Sequence, residues 1–260
     1  MKRLFLTAVT ASLLSSAFLI SVPAAQAEEA AYKLVLLRHG ESQWNLEKRF
    51  TGWSDIDLTV KAGEIMKGAG VNFDEVHTSK LNRAIETAQL AQKGMSAQWV
   101  PLQKFWRLNE RCYGDLEGKK REDVAKEVGD DQVKIWRRSF DVPPPSLAVT
   151  DARSPVKDPR YADLDPRVIP ASESLKDVIA RVGPYWTDQL RPAIKSGKTV
   201  LVVGHSTNLR ALSAWIEPNL DEKALQKLEI KNTKPILYEF DKNMNVICRK
   251  VLEPSTVKKE

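Results

Sequence analysis

The sequence predicts an α/β protein with three layers, α/β/α, around a central, mostly parallel sheet. One observation is that two apolar runs, Tyr32–Leu37 and Thr199–Val203, have the continuous hydrophobicity of strands covered on both faces. Another is that each run ends just before a histidine, His39 or His205, and that a helical stretch over Leu209–Ile216 follows the second run. Ligands of open α/β sheets bind outside the carboxyl ends of the strands, so both imidazoles are expected at a binding crevice.

A third strand-to-helix unit lies between these two runs. Asn72–His77 reads as a shorter strand, and Thr78 or Ser79 is expected to cap a helix that continues through Ala91. The stretch before it, 60–70, contains three glycines, which lower helix stability. We therefore expect a short or frayed element over 60–70.

The last part of the chain alternates between loop, helix and strand patterns. Seven prolines and the lack of a sustained period predict a loop excursion over 142–170. A helix is expected over Ser174–Trp186, and Lys234–Phe240 and Asn245–Val251 have the pattern of the last two strands. The final residues, 256–260, form a polar tail.

The first 27 residues have the pattern of a secretory signal. A basic start is followed by an apolar run over Leu4–Val22 and by the small-residue site Ala25–Ala27, which predicts cleavage before Glu28. An uncleaved membrane anchor is the alternative, since the run approaches the length of a bilayer span. The next methionine after Met1 is Met66, so a chain started there would lack His39 as well as the leader. We therefore expect export, to the periplasm, or a cytoplasmic location if the signal is not used.

Composition and length describe what the signal would leave behind. Residues 28–260 are expected to form a single catalytic domain. The leader holds two of the forty basic residues and no acidic residue, so its removal lowers the net charge from +6 to +4. This mild excess comes without basic runs interleaved with aromatic residues, so we expect no nucleic-acid partner and no stable membrane association after cleavage.

Cysteine and histidine usage argues against two kinds of site. Cys112 and Cys248 are too few to form a disulfide framework, although an oxidising compartment would allow them to pair. The three histidines, which include His77, show no short spacing suited to metal ligands, so no metal is expected.

The residues around the first strand end are suited to phosphoryl transfer. A histidine can accept a phosphoryl group only when a ring nitrogen is unprotonated and positive charge gathers on the phosphate oxygens. Arg38, beside His39, offers a donor fork and disfavours protonation of the imidazole. Arg83 can supply a second fork and His205 a further donor. Close approach and uncharged donors would come from Gly40, Ser42 and Asn45.

A single histidine at a strand end is more often a packing residue than a nucleophile. Here two of only three histidines, His39 and His205, follow buried strands, and Arg-His-Gly stands at one of them. This constellation favours the functional interpretation.

The segment Leu37–Ser42 resembles the signature of the histidine phosphatase superfamily. Further segments resemble cofactor-dependent phosphoglycerate mutases, the branch that uses 2,3-bisphosphoglycerate: Trp44-Asn45, Phe50–Trp53, Asp57–Thr59, Leu108–Arg111, Tyr113-Gly114 and Trp136–Asp141. The resemblance covers nearly all of 32–251 and implies a phosphoglycerate mutase-like fold. It also implies priming by 2,3-bisphosphoglycerate, a small phosphorylated substrate, and a homodimer or homotetramer.

The resemblance assigns a role to each matching residue. His39 would be phosphorylated, Glu110 would exchange a proton with the substrate oxygen, and His205 with Arg38 and Arg83 would clamp the phosphate. The phosphate site would be lined by Ser42, Asn45, Thr51 and Gly52. The substrate's carboxylate and second phosphate would be held by Tyr113, Arg121, Arg137 and Arg138.

Two positions beside the second histidine differ from the family pattern. Relatives usually read His-Gly-Asn where this chain has His205, Ser206 and Thr207. Ser206 and Thr207 are therefore included among the expected substrate-binding residues. Cys112 stands where a histidine is common, and Arg121 stands for a lysine.

Three functions are compatible with these residues. The first is the isomerase reaction between 3-phosphoglycerate and 2-phosphoglycerate through phospho-His39. The second is an exported phosphatase that passes the same phosphoryl group to water, since water access to the phosphohistidine separates the two reactions. The third is a catalytically silent binding module, which is disfavoured because His39, Arg83, Glu110 and His205 are all present.

Overall fold

The fold, described by a computed structural model over residues 30–54 and 71–252, is built on one six-stranded sheet. The predicted leader 1–27, the whole glycine-rich stretch 60–70 and the tail 256–260 lie outside the described residues. The strands, in chain order, are β1 (Tyr32–Arg38), β2 (Glu75–Thr78), β3 (Leu102–Lys104), β4 (Val200–Gly204), β5 (Ile236–Phe240) and β6 (Val246–Val251). Their spatial order is β3-β2-β4-β1-β5-β6.

The sheet is mixed. Strands β3, β2, β4 and β1 are parallel to one another, whereas β5 and β6 add an antiparallel pair at one edge. The α/β prediction is confirmed, and the parallel character applies to the four strands that include both histidine-bearing ends. In the register of β1 and β4, Arg38 lies opposite Gly204, and the backbone N–H of His39 donates to Gly204 O at 2.9 Å. The segments that follow β1 and β4, which begin with His39 and His205, therefore leave the sheet side by side.

The described residues form eight α-helices. They are α1 (Gln43–Leu46), α2 (Asn82–Gly94), α3 (Arg121–Val128), α4 (Asp130–Arg138), α5 (Leu175–Tyr185), α6 (Arg191–Lys195), α7 (Ser206–Ile216) and α8 (Glu222–Lys227). A π-helical turn, Trp186–Leu190, joins α5 to α6. No helix within the described parts of the chain has the length and apolar character to cross a membrane.

Alternation along β1 divides the core into two layers. Leu34 and Leu36 are buried with apolar residues of α5 and α7, whereas Val35 and Leu37 are buried with the alanines of α2. Because successive side chains of a strand point to opposite faces, one continuous apolar strand supports both helical layers. This arrangement gives the three-layer architecture expected from the sequence.

The helix predictions hold with one correction at the start of α2. Neither Thr78 nor Ser79 caps this helix; Leu81 occupies the N-cap position without a side-chain hydrogen bond. Thr78 Oγ1 instead donates to Val203 O at 2.9 Å, and Ser79 Oγ lies 2.9 Å from His205 Nε2. Both hydroxyls are thus taken up by the neighbouring β4 strand end.

The proline-rich excursion contains only short turns of helix. Three one-turn 3-10 segments begin at prolines, namely Pro155–Lys157, Pro159–Tyr161 and Pro166–Val168. The excursion is anchored by Tyr161, which is buried and packs against Trp53 with the ring centroids 4.9 Å apart and the ring planes tilted by 48°. After it, Ser174 caps α5 by accepting from the Asp177 N–H.

Candidate active site

His39 is buried at the end of β1 with a defined tautomer. Its Nδ1 lies 2.6 Å from the carbonyl oxygen of Gly40, and a carbonyl can only accept, so Nδ1 carries the proton. The other ring nitrogen, Nε2, therefore has a lone pair. His39 is 3% exposed and lines a cavity, so Nε2 is the nitrogen available to a ligand there.

The charge state of His39 is set by burial and by its cationic neighbours. Burial lowers the pKa of His39 well below its ordinary value, and the guanidinium groups of Arg83 and Arg38 lower this pKa further. The imidazole is therefore neutral at pH 7. A neutral ring with a free Nε2 is the form that can attack phosphorus.

His205 lies directly beside His39. The two ring centroids are 5.0 Å apart at an interplanar angle of 57°, and His205 Nε2 is hydrogen-bonded with Ser79 Oγ at 2.9 Å. Burial lowers the pKa of His205 well below its ordinary value, with further contributions from Arg83 and His39. Two neutral imidazoles thus share one buried site.

Glu110 sits at the start of α7. Its Oε1 accepts from the backbone N–H of Arg111 at 2.7 Å and from that of Thr207 at 3.1 Å. The first N–H groups of a helix have no partner within the helix, and the helix dipole favours a negative charge there. Glu110 is 9% exposed and lines the cavity, so its carboxyl is held in place and still accessible.

Arg83 is anchored through the turn that follows α1. This side chain is 1% exposed, and it donates to Ser54 O and to Gly52 O, both at 2.9 Å. Gly52 has φ +51°, and a Cβ there would lie 1.9 Å from Glu117 Oε1, so the turn requires glycine. These two hydrogen bonds fix the position of the Arg83 guanidinium group at the cavity wall.

The cavity in front of His39 has a volume of about 310 Å³ and a strongly cationic wall. Three glutamates and seven arginines line it, the arginines being Arg38, Arg49, Arg83, Arg121, Arg137, Arg138 and Arg210. Within the described part of the chain, the buried Nε atoms of Arg38 and Arg121 have no hydrogen-bond partner. Guanidinium donors left unsatisfied in a concave site suit an anion with several oxygens.

The structure brings most of the predicted residues to this cavity. Besides Arg38, His39, Arg83 and Glu110, the wall contains the expected Asn45, Thr51, Gly52, Tyr113, Arg121, Arg137, Arg138, Ser206 and Thr207. His205 lies behind His39. Ser42 is not among the lining residues: it is fully buried and caps α1, where Ser42 Oγ accepts from the Asn45 N–H.

Several lining residues have no predicted role: Glu41, Arg49, Phe50, Arg210, Glu229 and Asn232. Arg210 lies one turn after Ser206 on α7, so helical spacing could have identified it. Glu229 and Asn232 come from the loop between α8 and β5, and no local pattern marks that loop.

Across the described residues, no group of three or more histidine, cysteine or acidic side chains could hold a metal ion. Both cysteines are free.

Comparison with known proteins gives consistent similarities. The model of the histidine phosphatase superfamily (branch 1) matches residues 34–251. A 2,3-bisphosphoglycerate-dependent phosphoglycerate mutase 2 from Lactiplantibacillus plantarum is 46% identical over 227 residues, which cover 85% of this chain and 98% of that protein.

Solved structures share the fold at lower identity. An alpha-ribazole phosphatase from Shigella flexneri is similar with a TM-score of 0.62 at 20% identity, covering 88% of this chain and 99% of the other. A phosphoglycerate mutase from Bacillus anthracis str. Sterne is similar with a TM-score of 0.58 at 22% identity, covering 87% and 93%.

Proposed function

The chain belongs to the histidine phosphatase superfamily, and from this we propose that it is a 2,3-bisphosphoglycerate-dependent phosphoglycerate mutase that interconverts 3-phosphoglycerate and 2-phosphoglycerate. The observation that carries the proposal is the unprotonated Nε2 of His39 in a cavity lined by seven arginines. A substrate with a carboxylate and one or two phosphates needs cations at both ends of its pocket.

In the proposed reaction, His39 Nε2 forms a bond to phosphorus while the bond from phosphorus to the donor oxygen breaks. Arg38 and Arg83 neutralise charge on the phosphate oxygens in the transition state, and the neutral imidazole of His205 donates a hydrogen bond to them. The hydrogen bond from Nδ1 to Gly40 O stabilises the positive charge that the ring acquires. Glu110 gives a proton to the leaving oxygen and takes one from the oxygen that is phosphorylated next.

The lining residues fit an organic bisphosphate. Arg38 and Arg83 would hold one phosphate beside His39, and Arg121, Arg137 and Arg138 would hold the other phosphate and the carboxylate. When bound, 2,3-bisphosphoglycerate supplies the phosphoryl group that primes His39. We extend the proposal to a homodimer or homotetramer, as expected from the mutase resemblance.

A second candidate function, phosphomonoester hydrolysis, is favoured by the start of α7. Ser206 and Thr207 line the cavity, and the Thr207 N–H contacts Glu110. Two hydroxyl groups beside a carboxylate can hold a water molecule close to phospho-His39. The predicted secretory leader supports this candidate, since an exported enzyme would encounter phosphate esters rather than glycolytic intermediates.

One incubation separates the two functions. The purified protein and its His39→Ala variant are given 3-phosphoglycerate with a trace of 2,3-bisphosphoglycerate, and both 2-phosphoglycerate and free phosphate are followed. Conversion that depends on the bisphosphate and releases little phosphate supports the mutase. Dominant phosphate release supports the phosphatase, and activity that survives in His39→Ala rejects both.

A further inference from the structure

We propose that Asn232 is a positioning residue that fixes the tautomer of His39, an inference that rests on the proposed function of His39 as nucleophile. Asn232 lies 193 residues along the chain from His39, in the loop before β5. Its Nδ2 donates to the carbonyl oxygen of His39 at 2.8 Å and to that of Gly40 at 3.2 Å. The side-chain amide therefore bridges the two carbonyls that follow β1.

The second of these carbonyls controls the nucleophile. Gly40 O also accepts the Nδ1 proton of His39, at 2.6 Å, and the hydrogen bond at one ring nitrogen decides which nitrogen carries the proton. Glycine leaves its own backbone free to rotate, so the direction of Gly40 O has to be set from outside. The Gly40 N–H donates to Thr87 Oγ1 at 3.1 Å, and Asn232 holds the carbonyl end.

If Gly40 O turned away, the proton could move to Nε2. That tautomer presents an N–H to the phosphate instead of a lone pair and cannot attack phosphorus. Asn232 therefore acts on the chemical step through His39. Both carbonyl contacts of its amide are within the protein, so its loss is expected to change the reaction rate more than substrate affinity.

The backbone beside Asn232 is held in a costly conformation. Thr233, a β-branched residue, has φ +57°, a region that such residues rarely adopt. Two hydrogen bonds maintain it: the Thr233 N–H donates to Arg38 O at 3.1 Å, and Thr233 Oγ1 donates to Asn232 O at 2.7 Å. The backbones of Asn232 and Arg38 also form an isolated parallel β-bridge. The loop is thus tied to the strand that carries the nucleophile.

The test replaces Asn232 by leucine, which keeps the branching and approximate volume, removes the donors and adds no charge. Asn243→Leu, in an exposed turn outside the cavity, is the matched control. The readout is the tautomer of His39 in long-range proton–nitrogen spectra of the purified protein with 15N-labelled histidine. The resonances of His39 are assigned by their loss in His39→Gln.

We expect His39 to be in the Nδ1–H form in the wild type and in Asn243→Leu, and in a mixture of both tautomers in Asn232→Leu. The rate of phosphohistidine formation from 2,3-bisphosphoglycerate should fall at least about tenfold in Asn232→Leu, while KM changes less than about threefold. If Asn232→Leu does not fold, Asn232→Ala is measured in the same way.

An unchanged Nδ1–H tautomer in the folded Asn232 variant would overturn the inference. A wild type that forms no phosphohistidine, but whose His39 tautomer still responds to the Asn232 substitution, would instead reject the proposed function and keep the positioning role.

Discussion

Arg83 and Glu117 contact the same turn, 52–54, through complementary groups. Arg83 donates to two backbone carbonyls of the turn, while Glu117 accepts from the Trp53 N–H at 3.1 Å and from Ser54 Oγ at 3.2 Å. Burial raises the pKa of Glu117, and the Arg83 charge opposes that rise. A buried acid that does not line the catalytic cavity thus supports the turn on which a cavity arginine rests.

Replacing Glu117 should separate hydrogen bonding from charge. Glu117→Ala leaves the buried N–H groups of Trp53 and Tyr113 without their acceptor, which should cost about 2–3 kcal/mol of unfolding free energy and raise KM. In Glu117→Gln the side-chain oxygen can still accept both, so the loss should stay below about 1 kcal/mol. Urea unfolding measures the difference, and equal losses in the two variants would contradict this account.

Arg83→Lys should abolish most activity although it keeps the charge. A lysine cannot span the carbonyls of Gly52 and Ser54 with a planar fork, so the cation would lose its position. We expect kcat/KM for 3-phosphoglycerate to fall at least about a hundredfold. Arg167→Lys, at an exposed arginine of the proline-rich excursion, is the control and should be unchanged. Retention of more than a tenth of the activity in Arg83→Lys would refute the prediction.

His77 should make the protein sensitive to acid. This buried imidazole contacts Tyr185 OH at 2.7 Å and Glu75 Oε1 at 3.2 Å, and Lys198 contacts the same carboxylate. Burial lowers the pKa of His77 from 6.5 to about 4, although Glu75 acts to raise it. His77 is therefore protonated below about pH 6.5 in the unfolded chain but only below about pH 4 in the folded protein.

The stability that His77 contributes is thus present above pH 6.5 and is lost as the pH falls toward 4. His77→Gln should reduce the loss of unfolding free energy between pH 7 and pH 5 by on the order of 2 kcal/mol, because glutamine does not titrate. Urea unfolding of both proteins at the two pH values measures this. Identical losses would show that His77 is not the titrating group.

His39 should still be phosphorylated at an undiminished rate in mildly acidic solution. Burial, Arg83 and Arg38 together lower the pKa of His39, so its acid limb lies well below pH 6.5. Arg38→Met removes one of the two cations and should move that limb toward neutral pH. The rate of phosphohistidine formation is measured from pH 5 to pH 8 in both proteins, whose phosphate donor titrates identically. The same midpoint in the wild type and in Arg38→Met would contradict this prediction.

The balance between transfer and hydrolysis should depend on the start of α7. The double variant Ser206→Gly, Thr207→Asn restores the residues usual in relatives and removes two hydroxyls from the cavity wall. We expect the ratio of free phosphate to 2-phosphoglycerate to fall at least about fivefold, because water loses its hydrogen-bond partners beside phospho-His39. Thr150→Asn, in an exposed loop, is the control. An unchanged ratio would assign the balance to another part of the cavity.

The sequence was most informative where local pattern and tertiary position coincide. Continuous apolar runs are typical of buried parallel strands, so β1 and β4, and with them His39 and His205, could be placed correctly. Helical spacing likewise predicted α5, with Val178 and Val182 buried. These features depend on residues adjacent in sequence or one helical turn apart.

The parts that were missed depend on contacts across the fold. Ser79 has the residue type of a helix cap, yet its hydroxyl lies against His205, 126 residues later in the chain. Asn232 reaches the carbonyls after β1 from a loop without a recognisable motif. Ser42 shows the opposite case, since it sits in a family motif but its hydroxyl serves a local cap. A residue type alone does not reveal which partner it will find.

The pairing of β1 has a consequence for the order in which the chain can fold. Its neighbours in the sheet, β4 and β5, both come from residue 200 onwards. The first strand of the sheet therefore waits for the last quarter of the chain during synthesis, and such distant pairings close slowly. Because the centre of the sheet cannot form before β4 and β5 have been synthesised, the chain remains unfolded for longer. An unfolded chain can be translocated, which suits a protein whose first residues have the pattern of an export signal.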